Sequence, residues 1–415
     1  MTDFTSAART ATAALRDLFP QTPLQRNDYL SARYGADIWL KREDLSPVRS
    51  FKLRGAFNAM RKVRDRLPHQ TRFVCASAGN HAQGMAFSCR HFGVKGTIFM
   101  PITTPQQKID KTRAFGGEFV EIVLTGDYFD RTLAAAKAWC ETEGAHFLAP
   151  FDDEDVIEGQ ASVAVEMLEQ LGRAPDMVLL SVGGGGLASG VTKYMRTEAP
   201  GTQFRFVEPA GGASLRAALL AGRPMALDTV DGFVDGAAVA RIGDAPFAAL
   251  SWAFPDQVLM TPEDRICVTM VEMLNVEGVV LEPAGAMPIT ALQDLGPAIQ
   301  GKTVVCVISG GNFDFERLPE VKERAQRYTG LKKYMLLRLP QRPGALRDFL
   351  MLLGPDDDVA RFEYLKKSAR NFGSILIGIE TKAPENFPRL FARMEEEGFA
   401  FRDITQDALL GEYLI

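Results

Sequence analysis

Residues 177–198, MVLLSVGGGGLASGVTKYMRTE, place an apolar β-rich run, four glycines and a helical pattern in direct succession. A buried strand running through a glycine turn into a helix is the repeating step of βαβ units. The same step recurs along the chain. FVCAS (73–77), GTIFMP (96–101), EFVEIV (118–123), QFRFVEP (203–209) and TVVCVISGG (303–311) are short β-rich runs bounded by Gly or Pro, with helical patterns between them. Near-continuous apolar strands of this kind belong to parallel sheets covered on both faces. An α/β body from the N-terminus to about residue 320 is the expectation.

From Phe315 the chain turns charged and helical (FERLPEVKERAQRYTG) and then changes rhythm. The tail reads as strand 334–340, helix 344–354, strand 360–368, strand 373–382, helix 386–398 and strand 399–405. That βαββαβ order is ferredoxin-like. The division expected is a body over 1–320, with a smaller lobe at roughly 55–155, a neck over 321–333 and a tail domain over 334–415.

The chain has 415 residues, more than a single core usually serves, so several packing units are expected. Forty-seven basic and fifty-two acidic residues leave a net charge of −5 without long runs of one sign, which argues against nucleic-acid or anionic-membrane partners. No stretch is apolar for long enough to span a bilayer, and the start, MTDFTSAARTATAALRDLF, reads as an amphipathic helix and not as an export signal. The five cysteines are widely spaced, without CxxC pairing, as in buried free thiols of a reducing compartment. The cytoplasm is the expected location.

Four segments carry candidate chemistry. In Ser50-Phe51-Lys52-Leu53-Arg54-Gly55 a lysine opens a helix, where the positive end of the helix dipole disfavours a second cation and helps free the amine for Schiff-base chemistry. Alone, it reads more simply as a solvated surface lysine. In Ser77-Ala78-Gly79-Asn80-His81 a predicted strand meets a helix, and the amides around Gly79 suit an anion such as a carboxylate. A plain turn with Asn80 as a cap and His81 as a satisfied polar residue fits those residues equally well. Gly183, Gly184, Gly185, Gly186 and Leu187 remove every Cβ from the approach to amides at a helix start, which suits a phosphate. GGGGLASG loosely fits a dinucleotide pattern, but it lies mid-chain, and Glu208 is a weak ribose-binding candidate. Ser309-Gly310-Gly311-Asn312 ends an apolar strand, where open α/β sheets place ligand contacts.

Together and in this order, SFKLRGA, SAGNHAQG, GGGGL and SGGN resemble the fold-type II pyridoxal-phosphate enzymes, and most closely the biosynthetic threonine dehydratases. The resemblance implies a two-lobed, tryptophan-synthase-β-like body using pyridoxal 5'-phosphate. It makes Lys52 the covalent anchor and the base at the substrate's Cα. Asn80 then faces the cofactor's 3-hydroxyl, Gly183 to Leu187 hold its phosphate, Ser309 pairs with the pyridine nitrogen, and Ser77 to His81 meet the substrate. A serine at the nitrogen leaves it largely neutral, which favours prompt loss of a leaving group over a long-lived carbanion. The implied reaction is conversion of L-threonine to 2-oxobutanoate and ammonia, with serine/threonine deamination as the alternative in the same fold. A nucleotide-binding oxidoreductase is the alternative from another class.

Related serine racemases carry a serine at the position of Ala78 and a divalent-cation site after a Glu-Pro pair. Here Glu208-Pro209 is followed at that spacing by Ser214, so racemisation is disfavoured and no metal is expected. Glu282, in LEPAGA, matches a recurrent motif near the cofactor, with a role left open. PQRPGAL (340–346) reads equally well as a tight turn whose entry is fixed by Pro; it also resembles the loop of ACT domains that bind amino acids, which implies Gly344, Ala345 and Leu346 as effector contacts, with isoleucine the first candidate. A homo-oligomer, dimer or tetramer, is common among such enzymes.

Overall fold

The computed structural model describes residues 3–365 and 371–407. It forms two compact units, one of Met1–Glu263 with Glu277–Phe313, the other of Asp264–Val276 with Asp314–Ile415. The second unit therefore takes up a helical piece from well upstream of the single boundary expected near residue 320. Arg324 is tied to Asp264 at 2.9 Å within it.

The first unit holds two sheets. The larger runs in the order Leu24–Arg26, Asp37–Arg42, Thr303–Ile308, Met177–Ser181, Gln203–Pro209, Val258–Thr261, parallel throughout except for the first pair. The smaller is wholly parallel, in the order Val120–Leu124, Lys95–Met100, Arg72–Ala76, His146–Phe147. Met177–Ser181 and Thr303–Ile308 are buried at every position, as strands covered by helices on both faces must be. The N-terminal segment is the helix Phe4–Arg16, burying Ala8, Ala11, Thr12 and Leu15 at helical spacing.

Three helices stack closely because glycines remove the side chains between them. A Cβ on Gly159 would lie 2.5 Å from the carbonyl oxygen of Arg54, and one on Gly190 2.4 Å from that of Ile157. Gly159 thereby lets the helix Glu154–Leu171 approach Lys52–Arg66, and Gly190 lets it approach Gly186–Glu198.

Beneath the start of Lys52–Arg66 lies a fully buried charge cluster. Arg54 contacts Glu43 at 2.7 and 3.0 Å and Glu166 at 2.7 and 2.8 Å. Lys41 adds a bond to Glu166 at 2.6 Å, and Thr22 and Ser162 fill further positions on Arg54. Two acids and two bases leave the cluster neutral. Burial pushes the Glu166 carboxyl up, but Arg54 and Lys41 outweigh it and hold the group at about 2.

In the second unit the charged stretch expected as a neck forms the helix Leu318–Tyr328, with Val321 and Ala325 buried. Lys332, where the next strand begins, bonds Glu323 at 2.5 Å and Glu380 at 3.0 Å. The elements that follow are strand Lys332–Pro340, helix Ala345–Leu350, strands Asp357–Leu365 and Phe372–Thr381, helix Asn386–Glu396 and strand Ala400–Asp403. All pairings are antiparallel, in the spatial order second, third, first, fourth, which is the ferredoxin-like arrangement. Of the strand expected over 360–368, residues 366–368 lie outside the described residues, as does the end of the tail beyond residue 407. Among the described residues no helix is long and apolar enough to cross a membrane.

Arg54→Leu strands two buried carboxylates with Lys41 alone, and removing one partner from a buried ion cluster costs about 3–5 kcal/mol. Urea denaturation should show a loss of that size; a stability equal to the parent's would mean the cluster is not coupled to folding. Because Glu166 is held below its unfolded value, its stabilisation is complete above the ordinary carboxylate range and fades as pH falls toward about 2.

Candidate active site

Two segments far apart in sequence are laced together at the carboxyl end of Thr303–Ile308. Phe51 N–H donates to the Ser309 carbonyl at 3.0 Å, Gly311 N–H donates to the Arg49 carbonyl at 3.0 Å, and Ser50 forms a β-bridge with Gly310. Arg49 takes φ 59°, alone among the described non-glycine residues in the left-handed region, and this turn delivers Lys52 to the first position of its helix.

The Lys52 amine donates to the Pro150 carbonyl at 2.8 Å and lies 5.3 and 5.8 Å from the rings of Phe51 and Phe151. Burial lowers it to about 8, against the opposing charge of Glu282. A useful fraction of the amine is therefore unprotonated near neutral pH. Gly84 keeps the neighbouring helix clear, since a Cβ there would lie 3.1 Å from the Lys52 and Leu53 backbone.

That neighbouring helix, Asn80–Phe92, begins at Asn80, with Gly79 as its cap residue and the Ser77 hydroxyl accepting from Gly79 N–H at 3.2 Å. Ala78 is half-buried. The His81 ring is engaged elsewhere: its Nε2 lies 2.9 Å from the Leu148 carbonyl, and burial, reinforced by the Lys52 charge, pushes the imidazole down to about 3. This ring is a satisfied, neutral polar group, so contact between His81 and a substrate would come from its backbone amide at the helix start.

Gly183 to Gly186 follow Met177–Ser181 and run into the helix Gly186–Glu198, with Leu187 buried. A Cβ on Gly184 would lie 2.2 Å from the Phe151 ring, and one on Gly183 2.8 Å from the backbone of Gly236 and Ala237. Gly185, at φ 92°, leaves no room beside Pro246. Among the described residues, the amides of Gly183, Gly184 and Gly185 donate to no backbone or side-chain acceptor. Such a cradle of free amides at a helix start suits a phosphate.

Ser309 is 2% exposed, and its hydroxyl has no hydrogen-bond partner among the described residues. A buried hydroxyl left unpaired is costly, which marks this oxygen as a contact for a bound group. Lysine, glycine cradle and orphaned serine thus fit pyridoxal phosphate: an aldehyde-reactive amine, a phosphate seat and a hydrogen-bonding group for a ring nitrogen.

Glu282, loosely placed by sequence, connects these parts. Its carboxylate accepts from Asn80 Nδ2 at 2.9 and 3.0 Å, and a Cβ on Gly310 would lie 2.3 Å from its Oε1. Burial raises the carboxyl to about 7, with the Asn80 hydrogen bond opposing. Asn312, the last residue of SGGN, carries no role by sequence pattern alone; it donates to Asn80 Oδ1 at 2.7 Å and accepts from Lys111 at 2.6 Å. Phe151, a wall of the glycine loop, carries no sequence signal of its own.

Glu208 has a different task. Its carboxylate accepts from the N–H groups of Leu215 and Arg216 at 2.7 and 3.0 Å, capping the helix Ser214–Ala221. In the second unit Gly344 takes φ 84° at the turn before Ala345–Leu350, with Ala345 buried and Leu346 exposed.

Residues 15–310 match the family of pyridoxal-phosphate-dependent enzymes, and residues 323–414 match the C-terminal regulatory domain of threonine dehydratase. The biosynthetic L-threonine dehydratase of Bacillus subtilis (strain 168) is 47% identical over 97% of this chain and 95% of its own length. That of Mycobacterium leprae (strain TN) is 48% identical over 90% of this chain and 88% of its own. The processed form of threonine deaminase isoform 2 from Solanum lycopersicum superposes with a TM-score of 0.72 at 36% identity, covering 78% of this chain and 94% of that one. A lysine amine, a phosphate cradle and an unpaired serine in one site, on a chain of these similarities, place this protein in the biosynthetic threonine dehydratase family of pyridoxal-phosphate-dependent lyases.

Proposed function

We propose that this protein dehydrates L-threonine to 2-oxobutanoate and ammonia, with Lys52, Asn80, Gly183 to Leu187 and Ser309 holding the cofactor. The observation that carries this reading is the buried Ser309 hydroxyl without a partner, beside the strand end to which the Lys52 segment is laced. Pyridoxal phosphate, when bound, supplies the electron sink that acidifies the substrate's Cα–H bond.

The protein's part is positioning and proton transfer. Lys52, lowered to about 8 by burial, anchors the cofactor and then takes the Cα proton. Amides at the start of Asn80–Phe92, with Ser77 and Ala78 beside them, receive the substrate carboxylate. Ala78 offers no second base, so a proton removed by Lys52 is not returned from the other side, and the β-hydroxyl would leave as water, taking up a proton supplied at the phosphate end of the site. Ser309, as a neutral hydroxyl, keeps the ring nitrogen unprotonated and the sink shallow, which favours that elimination.

The unit that carries the four cofactor motifs does the chemistry, and the unit that holds the tail over 334–415 together with Asp264–Val276 and the helix Leu318–Tyr328 carries the regulation. We assign Gly344, Ala345 and Leu346 to an amino-acid effector, isoleucine first, which acts by preferring one of two states of the assembly. The enzyme works as a cytoplasmic homo-oligomer.

Lys52→Ala should abolish both the long-wavelength absorbance of the bound cofactor and ammonia release from threonine. Turnover close to the parent's in that variant refutes the mechanism. Ser309→Asp should raise exchange of the Cα proton with deuterated solvent relative to ammonia release, since a carboxylate favours a protonated, deeper sink; an unchanged ratio with cofactor fully bound would mean the nitrogen's partner is another group. Deleting the tail would cut through a unit that includes Asp264–Val276 and Leu318–Tyr328, so a point change is the cleaner test of regulation. Gly344→Val is strained at φ 84° and should blunt the isoleucine response while leaving the effector-free threonine saturation curve in place. An identical isoleucine titration would locate the effector elsewhere.

A further inference from the structure

The amide of Asn80 can present either its oxygen or its NH2 to the site, and only the NH2 stabilises an oxyanion. Its direction is fixed from a distance. Lys111, on the helix Gln106–Gly116, has three donors and no acceptor, so the atom of Asn312 that it meets at 2.6 Å must be the oxygen. That choice turns the Asn312 NH2 away from Lys111. One of its N–H groups goes to the Val48 carbonyl at 2.8 Å, itself an acceptor only, and the other to Asn80 at 2.7 Å. The atom of Asn80 receiving it is therefore the oxygen, and the Asn80 NH2 is left pointing at the Glu282 carboxylate at 2.9 and 3.0 Å.

The polarity is set by two groups whose roles are fixed, the Lys111 ammonium that donates and the Val48 carbonyl that accepts, and the Asn80 amide then turns its NH2 toward Glu282. Chains of this kind also polarise in the direction of donation, which strengthens the last donor. The relay alternates between regions, since Lys111 and Asn80 stand on helices beside the smaller sheet while Asn312 and Glu282 flank strands and helices of the larger. It is half-buried, so water competes weakly for its members.

We propose that Lys111 and Asn312 are positioning residues that lock the Asn80 amide in its donor orientation, so that the site offers a fixed N–H to an oxyanion. Resting on the cofactor reading above, that oxyanion is the 3-oxygen of pyridoxal phosphate, whose ionised form the relay favours. Neither residue touches the reacting atoms. Both act through Asn80.

The test uses the full-length, cofactor-loaded protein and reads the ratio of the long-wavelength to the short-wavelength absorbance band, which reports the ionised and neutral forms of the 3-oxygen. Lys111→Met removes the cation at the head of the chain, leaving the Val48 carbonyl alone to orient Asn312, and should lower the ratio about fivefold, the size expected for one net hydrogen bond. Lys111→Arg keeps a donor and should stay near the parent ratio. Asn312→Asp, which cannot donate to Asn80, should shift the ratio as Lys111→Met does and weaken cofactor retention on dialysis.

Equal ratios in the parent and Lys111→Met, with unchanged circular dichroism and melting temperature, would overturn the relay. So would a Lys111→Arg protein as altered as Lys111→Met, because that pattern follows from packing and not from donation. If Lys111→Met does not fold, Asn312→Asp against Asn312→Gln, which keeps the amide, decides by the same ratio: no difference between them overturns the proposal. A parent protein with no long-wavelength band at all would instead remove the cofactor reading, and the relay with it.

Discussion

The structure depends on the backbone lacing between Arg49–Phe51 and Ser309–Gly311. Two hydrogen bonds, which together make the antiparallel bridge between Ser50 and Gly310, join the approach to one helix to the end of a strand some 260 positions later in the chain. Without this junction Lys52 would open an ordinary helix, and Ser309 would end an ordinary strand. With it, an amine and an unpaired hydroxyl share one site, and the left-handed Arg49 marks the strain that the arrangement costs. Strained backbone of this kind persists only where the surroundings over-determine it. Here they do, because Gly310 and Gly311 are hemmed in by Glu282, Asp44 and the Val280 carbonyl.

Electrostatics works in two layers around that junction. Below, the neutral cluster of Lys41, Glu43, Arg54 and Glu166 clamps the first turn of the Lys52 helix to a strand and a second helix. Its formal charges are matched, so it holds position without adding net charge beneath the amine. In the site itself the charges are not matched. Lys52 loses hydration to burial and drops to about 8, while burial raises Glu282 to about 7. Two groups of opposite kind pushed toward neutrality are what proton transfer near physiological pH requires. His81, pushed down to about 3, is left out of that exchange and serves as a tie to Leu148.

Much of this was legible in the sequence, and for physical reasons. Apolar runs such as MVLLS and TVVCVI have to be buried parallel strands, and four glycines before a helix have to face something that tolerates no Cβ. The βαββαβ order of the tail followed from alternating periodicity. What periodicity could not supply was the interleaving of the units, because a helix such as Glu263–Glu277 shows which face is apolar but not which partner covers it. The role of Arg54 was hidden for a related reason: its meaning rests on Glu43 and Glu166, and long-range ion pairing leaves no local pattern. Asn312 was in plain view within SGGN, yet only the three-dimensional chain from Lys111 to Glu282 gives its amide a direction. His81 lies at the helix start, where its backbone amide can meet a ligand, while its ring is tied to the Leu148 carbonyl, a division that a one-letter sequence does not display.

The central claim is that Lys52, and no other lysine, forms the covalent link to pyridoxal phosphate. Borohydride reduction of the purified protein followed by peptide mass spectrometry tests it directly. The account predicts one reduced phosphopyridoxyl group per chain on the peptide containing Ser50-Phe51-Lys52, with the visible absorbance lost in step. An adduct on Lys41, Lys108, Lys111 or any lysine other than Lys52, or a colourless protein that takes up no label, would contradict it.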